Sequence, residues 1–470
     1  MAGEPSPRPS NLLYSIEDKP PLPLTFFLGL QHYLTMVGAT VVIPYVIQGA
    51  IGFGDHELAQ LIATMFFVSG ITTLLQSTFG NRLPIIQGGT FSLLAPTFAV
   101  CGMGALASAG WEVKMLHVQV AIIGGGAIEA AVGYFGLVGR MLKYIGPITI
   151  APTIALIGLS LFGVGAPWAG QDWYLGGLTI VLVILFSQYL KGMHRFFAMF
   201  PILLSIGIAW GLAAFLTWNG TYGPDDPGFV GTQVIGAAPL VRIPYPFQWG
   251  TSGLMWEYVW PATAGMLAGF FASIVESIGD YYACARLSGA PIPTKKIINR
   301  GIGMEGLGSV LAGVFGTGNA TTSYSENIGA IGLTGVGSRR VIQSAALTLL
   351  ALGLFGKFSA VFATIPKPIV GGLFCALFGM IASVGLSNLQ FVDLNSSRNL
   401  FIIGFAMFMG LTMPQYFNGL PAEEKAQIPA TVLAIGSSGM SVGAILALIL
   451  DNTIPGTDEE RGLTAWSSGP

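Results

Sequence analysis

Apolar runs of roughly 18 to 22 residues recur along almost the whole chain, each about long enough for a helix to cross ~30 Å of hydrocarbon. Fourteen such spans are predicted, starting near Leu24, Gln60, Pro84, Val118, Ile145, Trp173, Phe197, Pro261, Gly303, Thr321, Val341, Pro368, Leu400 and Thr431. Short polar connections separate them, apart from a stretch rich in Gly, Pro and Asp from near Trp218 to near Tyr258 that reads as one ordered or semi-ordered external loop. Spans three and ten break the pattern. The third reads PIIQGGTFSLLAPTF, with Gly88, Gly89 and Pro96; the tenth reads GTGNATTSYSENIGAIG, with Gly316, Gly318 and a run of Thr, Ser and Tyr. Such residues at membrane depth predict short β-like interruptions, whose backbone must be satisfied by protein or by a water-filled cavity. Half-helices starting there aim their N–H groups and positive dipole ends into that cavity, the predicted substrate site.

The corresponding positions of the two breaks point to a repeat. IGPITIAPTIALIGLS from Ile145 and IPKPIVGGLFCALFGM from Ile365 each place Gly eleven residues after Pro, Pro147 to Gly158 and Pro368 to Gly379, in spans five and twelve. Seven spans is an odd number, so a repeat of that size is inverted in the membrane.

Composition agrees with an all-α polytopic membrane protein. Of 470 residues 53% are hydrophobic and 9% charged, too little polar surface for a water-soluble exterior. The N-terminal segment lacks the pattern of a secretory signal and is expected to stay cytoplasmic. With that orientation the inner side holds Arg8, Lys19, Arg82, Arg140, Lys143, Lys191, Arg195, Arg286, Lys295, Lys296, Arg300, Arg339, Arg340, Arg398 and Arg461, 15 of the 20 basic residues. A wrong span count would scramble that asymmetry. The net charge of −2 gives no basis for a nucleic-acid partner. Cys101, Cys284 and Cys375 have no zinc-ligand or disulfide spacing and read as packing residues.

Buried ionisable residues narrow the function, because a carboxylate at a helix centre costs about 2.5–3.5 kcal/mol on insertion scales. Glu276 and Asp280 lie four apart in span eight and share a helix face. Glu305 opens span nine, Glu326 and Asn327 follow the break in span ten, and His32 begins the polar stripe Gln31, His32, Thr35 of span one. Glu129 in span four reads as facing a neighbouring helix. Carboxylates accept ring N–H groups, Asn327 and Ser325 add polar contacts, and Phe91 can stack on a flat ring. Glu276 and Asp280 are also the candidates to hold a coupling cation. No nucleotide-binding loop is present, so energy is expected from an ion gradient, with no cofactor and no enzymatic chemistry.

These residues sit in recognisable motifs: QHYLTM from Gln31, LFSQYL from Leu185, RIPYPFQWG from Arg242, ESIGDYYACARLSGAP from Glu276, ENIGAIGLT from Glu326, VGSRR from Val336, GLSNLQFVDLNSSRNL from Gly385 and ILDNTIPGTDEERGL from Ile449. With them the chain resembles the nucleobase/ascorbate transporter family (nucleobase-cation symporter-2), most closely its animal-type branch. The resemblance implies fourteen helices in two inverted seven-helix repeats. It divides the chain into a cytoplasmic segment (1–23), a core domain (24–138 and 261–364), a gate domain (139–218 and 365–452), an extracellular loop (219–260) and a cytoplasmic tail (453–470). Core moves against gate in an elevator-like cycle, commonly in a homodimer in the plasma membrane. The family's substrate-binding acid falls on Glu276 and its acid-amide pair on Glu326 and Asn327, with the backbone of Thr90, Phe91 and Ser92 as a third wall. Asp280 and Glu305 fall where acids serve cation coupling or hold the site together, and His32 matches the span-one histidine. The signature of ascorbate carriers begins with Pro where this chain has Glu326, and QGGTF departs from their QASAF-type third span. A nucleobase carried with Na⁺ is therefore the leading expectation; H⁺ coupling, Na⁺/ascorbate cotransport, and an anion channel or exchanger of the same fold are the alternatives. The signature's last position, usually basic, is Gly335 here.

Overall fold

The computed structural model describes residues 12–141 and 144–464; Arg8, Lys143 and the ends of both terminal segments lie outside the described residues. The principal elements are α1 (Leu22–Ile51), α2 (Asp55–Thr78), β1 (Gln87–Gly89), α3 (Leu94–Cys101), α4 (Trp111–Tyr134), α5 (Pro147–Leu159), α6 (Phe162–Ala169), α7 (Trp173–Ile184) and α8 (Pro201–Trp218). The second half comprises α9 (Trp256–Ser288), α10 (Lys295–Phe315), β2 (Thr321–Ser323), α11 (Ser325–Thr334), α12 (Arg339–Leu354), α13 (Lys367–Ser387), α14 (Ser397–Gly419), α15 (Ala430–Gly436) and α16 (Gly439–Thr453). Among the described residues eight helices are long and apolar enough to cross a membrane, counting α5 with α6 as one. A ninth is formed if α15 and α16, bent by 91° at the break between them, are taken together. The remaining predicted spans fall on shorter, more polar or broken elements.

Several helices begin earlier than hydropathy predicts. The helices α4, α9 and α10 start at Trp111, Trp256 and Lys295 rather than near Val118, Pro261 and Gly303, and α12 starts at Arg339. Their first turns carry Glu112, Glu257, Lys295 or Arg339, which an apolarity criterion assigns to loops. The unpaired N–H groups of a first turn tolerate, and often favour, a polar setting. At α8 the error runs the other way, because Pro201 at the first helical position sets the start beyond Phe197.

The packing is two-fold. The helix α2 runs along α12, and α4 along α10; α1 meets α12, and α9 meets α4; α5 meets α14 and α16, and α13 meets α7 and α8. Moving each span seven places along the chain converts one member of every pair of contacts into the other. The short strands pair antiparallel, Gln87 opposite Ser323 and Gly89 opposite Thr321, a pairing that maps onto itself under that exchange. The chain therefore holds two repeats of opposite sense. Glycines allow the closest crossings: a Cβ on Gly133 would lie 2.2 Å from the Gly303 nitrogen, and one on Gly306 2.2 Å from the Ala130 nitrogen. Gly158 is likewise required, its Cβ position lying 2.1 Å from the Phe378 carbonyl oxygen, whereas a Cβ on Gly379 meets nothing. The Gly158–Gly379 correspondence is thus not a shared packing requirement; Gly385, against Ala155, makes the matching close approach on α13.

The long connection is ordered and docked. Arg242 donates to the Gln60 carbonyl, to Thr64 and to Gln248, and Trp249 Nε1 donates to the Gly316 carbonyl at 2.7 Å. The chain beyond α16 folds back too: Asp451 accepts from Arg398 and Arg461, each at 3.0 Å.

Candidate substrate and cation site

Where β1 and β2 cross, the backbone cannot satisfy itself along a helix, and polar side chains close the gaps. The Ile86 N–H donates to Asn327 Oδ1 at 2.7 Å, the Gln87 N–H to Thr73 Oγ1 at 2.9 Å, the Thr90 N–H to Asn319 Oδ1 at 2.9 Å and the Thr321 N–H to Ser309 Oγ at 3.2 Å. Thr90 then caps the 3₁₀ turn Phe91–Leu93 that leads into α3. On the other side Tyr324 donates its N–H to the Ile86 carbonyl and the chain turns directly into α11. Two half-helices thus begin beside one strand pair.

The helix α9 is riveted to this crossing, with Ser273 Oγ 2.9 Å and Ser277 Oγ 3.2 Å from Thr322 Oγ1. Its next turns carry Glu276, half-buried, and Asp280, 8% exposed. Ser325, the first residue of α11, donates to Asp280 Oδ1 at 2.8 Å, while Asp280 Oδ2 has no partner. Glu326 stands in the first turn of α11, half-buried, where the helix dipole favours an anion. The structure therefore brings Glu276, Asp280, Ser325 and Glu326 to one place between α9 and α11. Phe91, in the turn after β1, is half-buried and packs against an apolar cluster that includes Ala272 and Val275 of α9, and its ring lies 6.3 Å from Phe378 of α13, edge-on.

The other candidates lie deeper. Glu305, 1% exposed, accepts at one oxygen from Ser323 at 2.6 Å, Tyr281 at 2.9 Å and Gln76 at 3.4 Å, behind the strand pair. Asn327 is fully buried, its oxygen on the Ile86 N–H and its nitrogen 3.1 Å from His32 Nδ1, so both ends of its amide are spent inside the protein. Since the Asn nitrogen only donates, His32 Nδ1 is the acceptor there. Thr90 and Ser92 are equally engaged, 2.7 Å from each other, with Ser92 donating to the Gly269 carbonyl. Glu129 meets Ser309 across the α4–α10 seam at 3.4 Å. Sequence reading misses Gln76, Ser323 and Tyr281 around Glu305. Ser273, Ser277 and Tyr281 recur every four residues along α9, a signal that was available.

None of these acids has a cationic partner: the ion pairs among the described residues are Arg339–Glu17, Arg398–Asp451 and Arg461–Asp451, all elsewhere. A buried, unpaired carboxylate is costly unless it holds a proton, a cation or a ligand N–H. Comparison with known proteins then decides the family. The sequence profile of the permease family Xan_ur_permease matches residues 24–419. Solute carrier family 23 member 2 from Homo sapiens is 47% identical, with 99% of this chain and 78% of the relative aligned. The chain belongs to the nucleobase/ascorbate permease family.

Within this permease family, nucleobase-ascorbate transporter 7 of Arabidopsis thaliana is 37% identical over 97% of this chain and 89% of its own length. Two solved structures share the fold. One is the transmembrane domain of the cyanobacterial bicarbonate transporter BicA, with a TM-score of 0.58 at 15% identity over 84% of this chain and 97% of that one. The other is SLC26A9, with a TM-score of 0.61 at 11% identity over 90% and 65%. The permease is a transporter of small solutes, a multi-pass membrane protein of the inverted-repeat fold and not an enzyme.

Proposed function

We propose that this permease imports a nucleobase of the uracil or xanthine kind together with Na⁺. One observation carries the reading: Glu276 on α9 and Glu326 at the start of α11 converge, half-buried and without a cationic side-chain partner among the described residues, and Phe91 packs against the cluster that holds Ala272 and Val275 of α9. Two such acceptors suit the N–H groups of a flat base, and the aromatic ring its face. An anion such as ascorbate would have the positive ends of the half-helices to meet it there, but against the carboxyls of Glu276, Asp280 and Glu326. That argument also weighs against an anion channel or exchanger of this fold. For the cation, the partnerless Asp280 Oδ2 beside Ser325 and Glu276 is the strongest coordinating group. The same orphaned oxygen favours a second reading, in which a proton replaces Na⁺.

The packing supports an elevator in which a core (24–138 and 261–364) slides against a gate (139–218 and 365–452). The close glycine seams join α4 to α10 within the first group and α5 and α6 to α13 within the second. The most extensive contacts between the groups join α9 to α15 and α16, and α1 to α8, with smaller ones between α3 and α15 and between α1 and α13. We further assign the termini to the cytoplasm, the protein to the plasma membrane and its assembly to a homodimer.

Uptake of radiolabelled uracil, xanthine and ascorbate into proteoliposomes, with Na⁺ and H⁺ gradients imposed separately, tests the proposal. Base uptake driven by Na⁺ and lost in Glu276→Gln is the expected result. Uptake driven only by H⁺ selects the second reading, and uptake of ascorbate alone overturns the role given to Glu326.

A further inference from the structure

The segment before α1 is not a free tail in its described part. Leu13 and Tyr14 donate their N–H groups to the Gly335 carbonyl at 2.8 and 3.0 Å, Gly337 donates back to the Tyr14 carbonyl at 2.7 Å, and Arg339 donates to the Ile16 carbonyl at 3.1 Å. Ser338 Oγ adds a bond to the Asp18 carbonyl at 2.7 Å, and the Arg339 guanidinium pairs with Glu17. The segment thus pairs along residues 335–339, the link between the half-helix carrying Glu326 and α12. Gly335 makes the link possible: at φ 70° it ends α11 in the left-handed region, which strains any residue with a Cβ. The carbonyl of that turn, on a buried residue, receives the strap.

Ile16 shows what the strap acts on. It packs against one apolar cluster formed by Ile274 and Ile278 of α9, Ile328 and Ile331 of α11, and Leu83 and Ile85 ahead of β1. Ile274 and Ile278 bracket Glu276, and Ile328 follows Glu326 by two residues. A single cluster therefore fixes α11 relative to α9, and the strap closes it from the cytoplasmic end.

We propose that residues 13–18 are a positioning strap that holds the half-helix α11 in register with α9, and through it the spacing of Glu326 from Glu276. Ile16, Glu17 and Arg339 are its positioning residues, none of which touches the substrate. Loosening the strap frees α11 at its C-terminal end while α9 stays pinned through Ser273 and Ser277. The binding consequence rests on the function proposed above; the structural consequence does not.

The test uses the full chain with Cys375→Ala, leaving Cys101 and Cys284 buried, and Ala330→Cys as a reporter on α11, at a position 2% exposed whose thiol is shielded while the helix is held in place. Maleimide labelling of that thiol is compared in otherwise unchanged protein, in Ile16→Asp, in Arg339→Ala and in the exchanged pair Glu17→Arg/Arg339→Glu. Labelling should accelerate by at least about threefold in the first two variants and return toward the starting rate in the exchanged pair, as for a restored charge pair. Equilibrium binding of tritiated uracil or xanthine, whichever the wild-type protein takes up, should weaken in parallel. A merely structural role would lower the melting temperature and yield while leaving the Kd of the folded fraction unchanged. Unchanged labelling in both loosened variants overturns the strap. Accelerated labelling in a protein whose wild type binds no base keeps the strap and sinks the proposed substrate.

Discussion

Replacing Glu305 separates a structural carboxylate from a transported charge. One of its oxygens accepts from Ser323 at 2.6 Å and Tyr281 at 2.9 Å in a site with 1% exposure. In Glu305→Ala those two hydroxyls lose their acceptor, and a stranded buried donor costs about 1–3 kcal/mol, so the pair sums to roughly 2–6 kcal/mol. Gln76 adds nothing to that sum, because it still donates to the Gly301 carbonyl and to Tyr281 Oη, both at 3.0 Å. Hydroxyl rotation and an admitted water move the total toward the low end, about 3 kcal/mol. Glu305→Gln keeps an oxygen for both donors and exchanges the partnerless Oε2 for a partnerless NH₂, one unsatisfied buried group for another, so its cost should stay at about 1 kcal/mol. Thermal denaturation of the detergent-purified protein, followed by loss of the monodisperse peak, should rank wild type and Glu305→Gln together and Glu305→Ala well below. Equal loss in both variants, or none in either, refutes the hydrogen-bond account. Transport by the stable Gln variant then decides the rest: if it is retained, Glu305 positions β2; if it is abolished, the carboxyl itself takes part in the cycle.

Gly88→Ala should cost about 1–3 kcal/mol by overpacking, since its Cβ would lie 2.6 Å from Tyr324 Cζ. Tyr324→Ala in the same chain should recover most of that loss in a double-mutant cycle read by melting temperature. Asp451→Ala leaves Arg398 and Arg461, 8% and 14% exposed at their side chains, without a counter-charge and should cost about 3–5 kcal/mol. Faster proteolysis of the chain beyond residue 453 would register it. Asn327→Ala strands the Ile86 N–H at a cost of about 1–3 kcal/mol. Asn327→Asp keeps that acceptor but sets an oxygen against the accepting His32 Nδ1, so it should recover only part of the melting temperature lost in Asn327→Ala.

The helical class, the two broken spans and the convergence of α9 with α11 are legible from sequence because each follows from a local demand. Apolar runs need a membrane, Gly-rich polar runs cannot continue a helix there, and Glu276 with Asp280 is intelligible from spacing alone. What stays hidden depends on depth. Glu326 and Asn327 are adjacent polar residues in one motif, yet Glu326 is half-buried and Asn327 is fully enclosed with its amide spent on Ile86 and His32. A break in a transmembrane helix recruits polar side chains twice, once to meet a ligand and once to replace the missing backbone partners, and the two sets have the same composition.

That double demand also explains why Thr90, Ser92 and Asn327 look like binding groups in sequence while their side chains serve the fold. Their backbone remains beside the crossing, so Thr90, Phe91 and Ser92 can still offer main-chain atoms to a ligand without contributing a side-chain hydroxyl. The inverted arrangement sharpens the point. Both half-helices start from the same strand pair, so a residue that ties β1 to α11, as Asn327 does through Ile86, couples the two repeats at their paired strands. A substitution there perturbs both walls of the site at once, although the side chain reaches neither Glu276 nor Glu326. Loss of transport in Asn327→Ala is therefore evidence for ligand contact only if β1–β2 pairing survives. The melting temperature of that variant has to be read before its uptake.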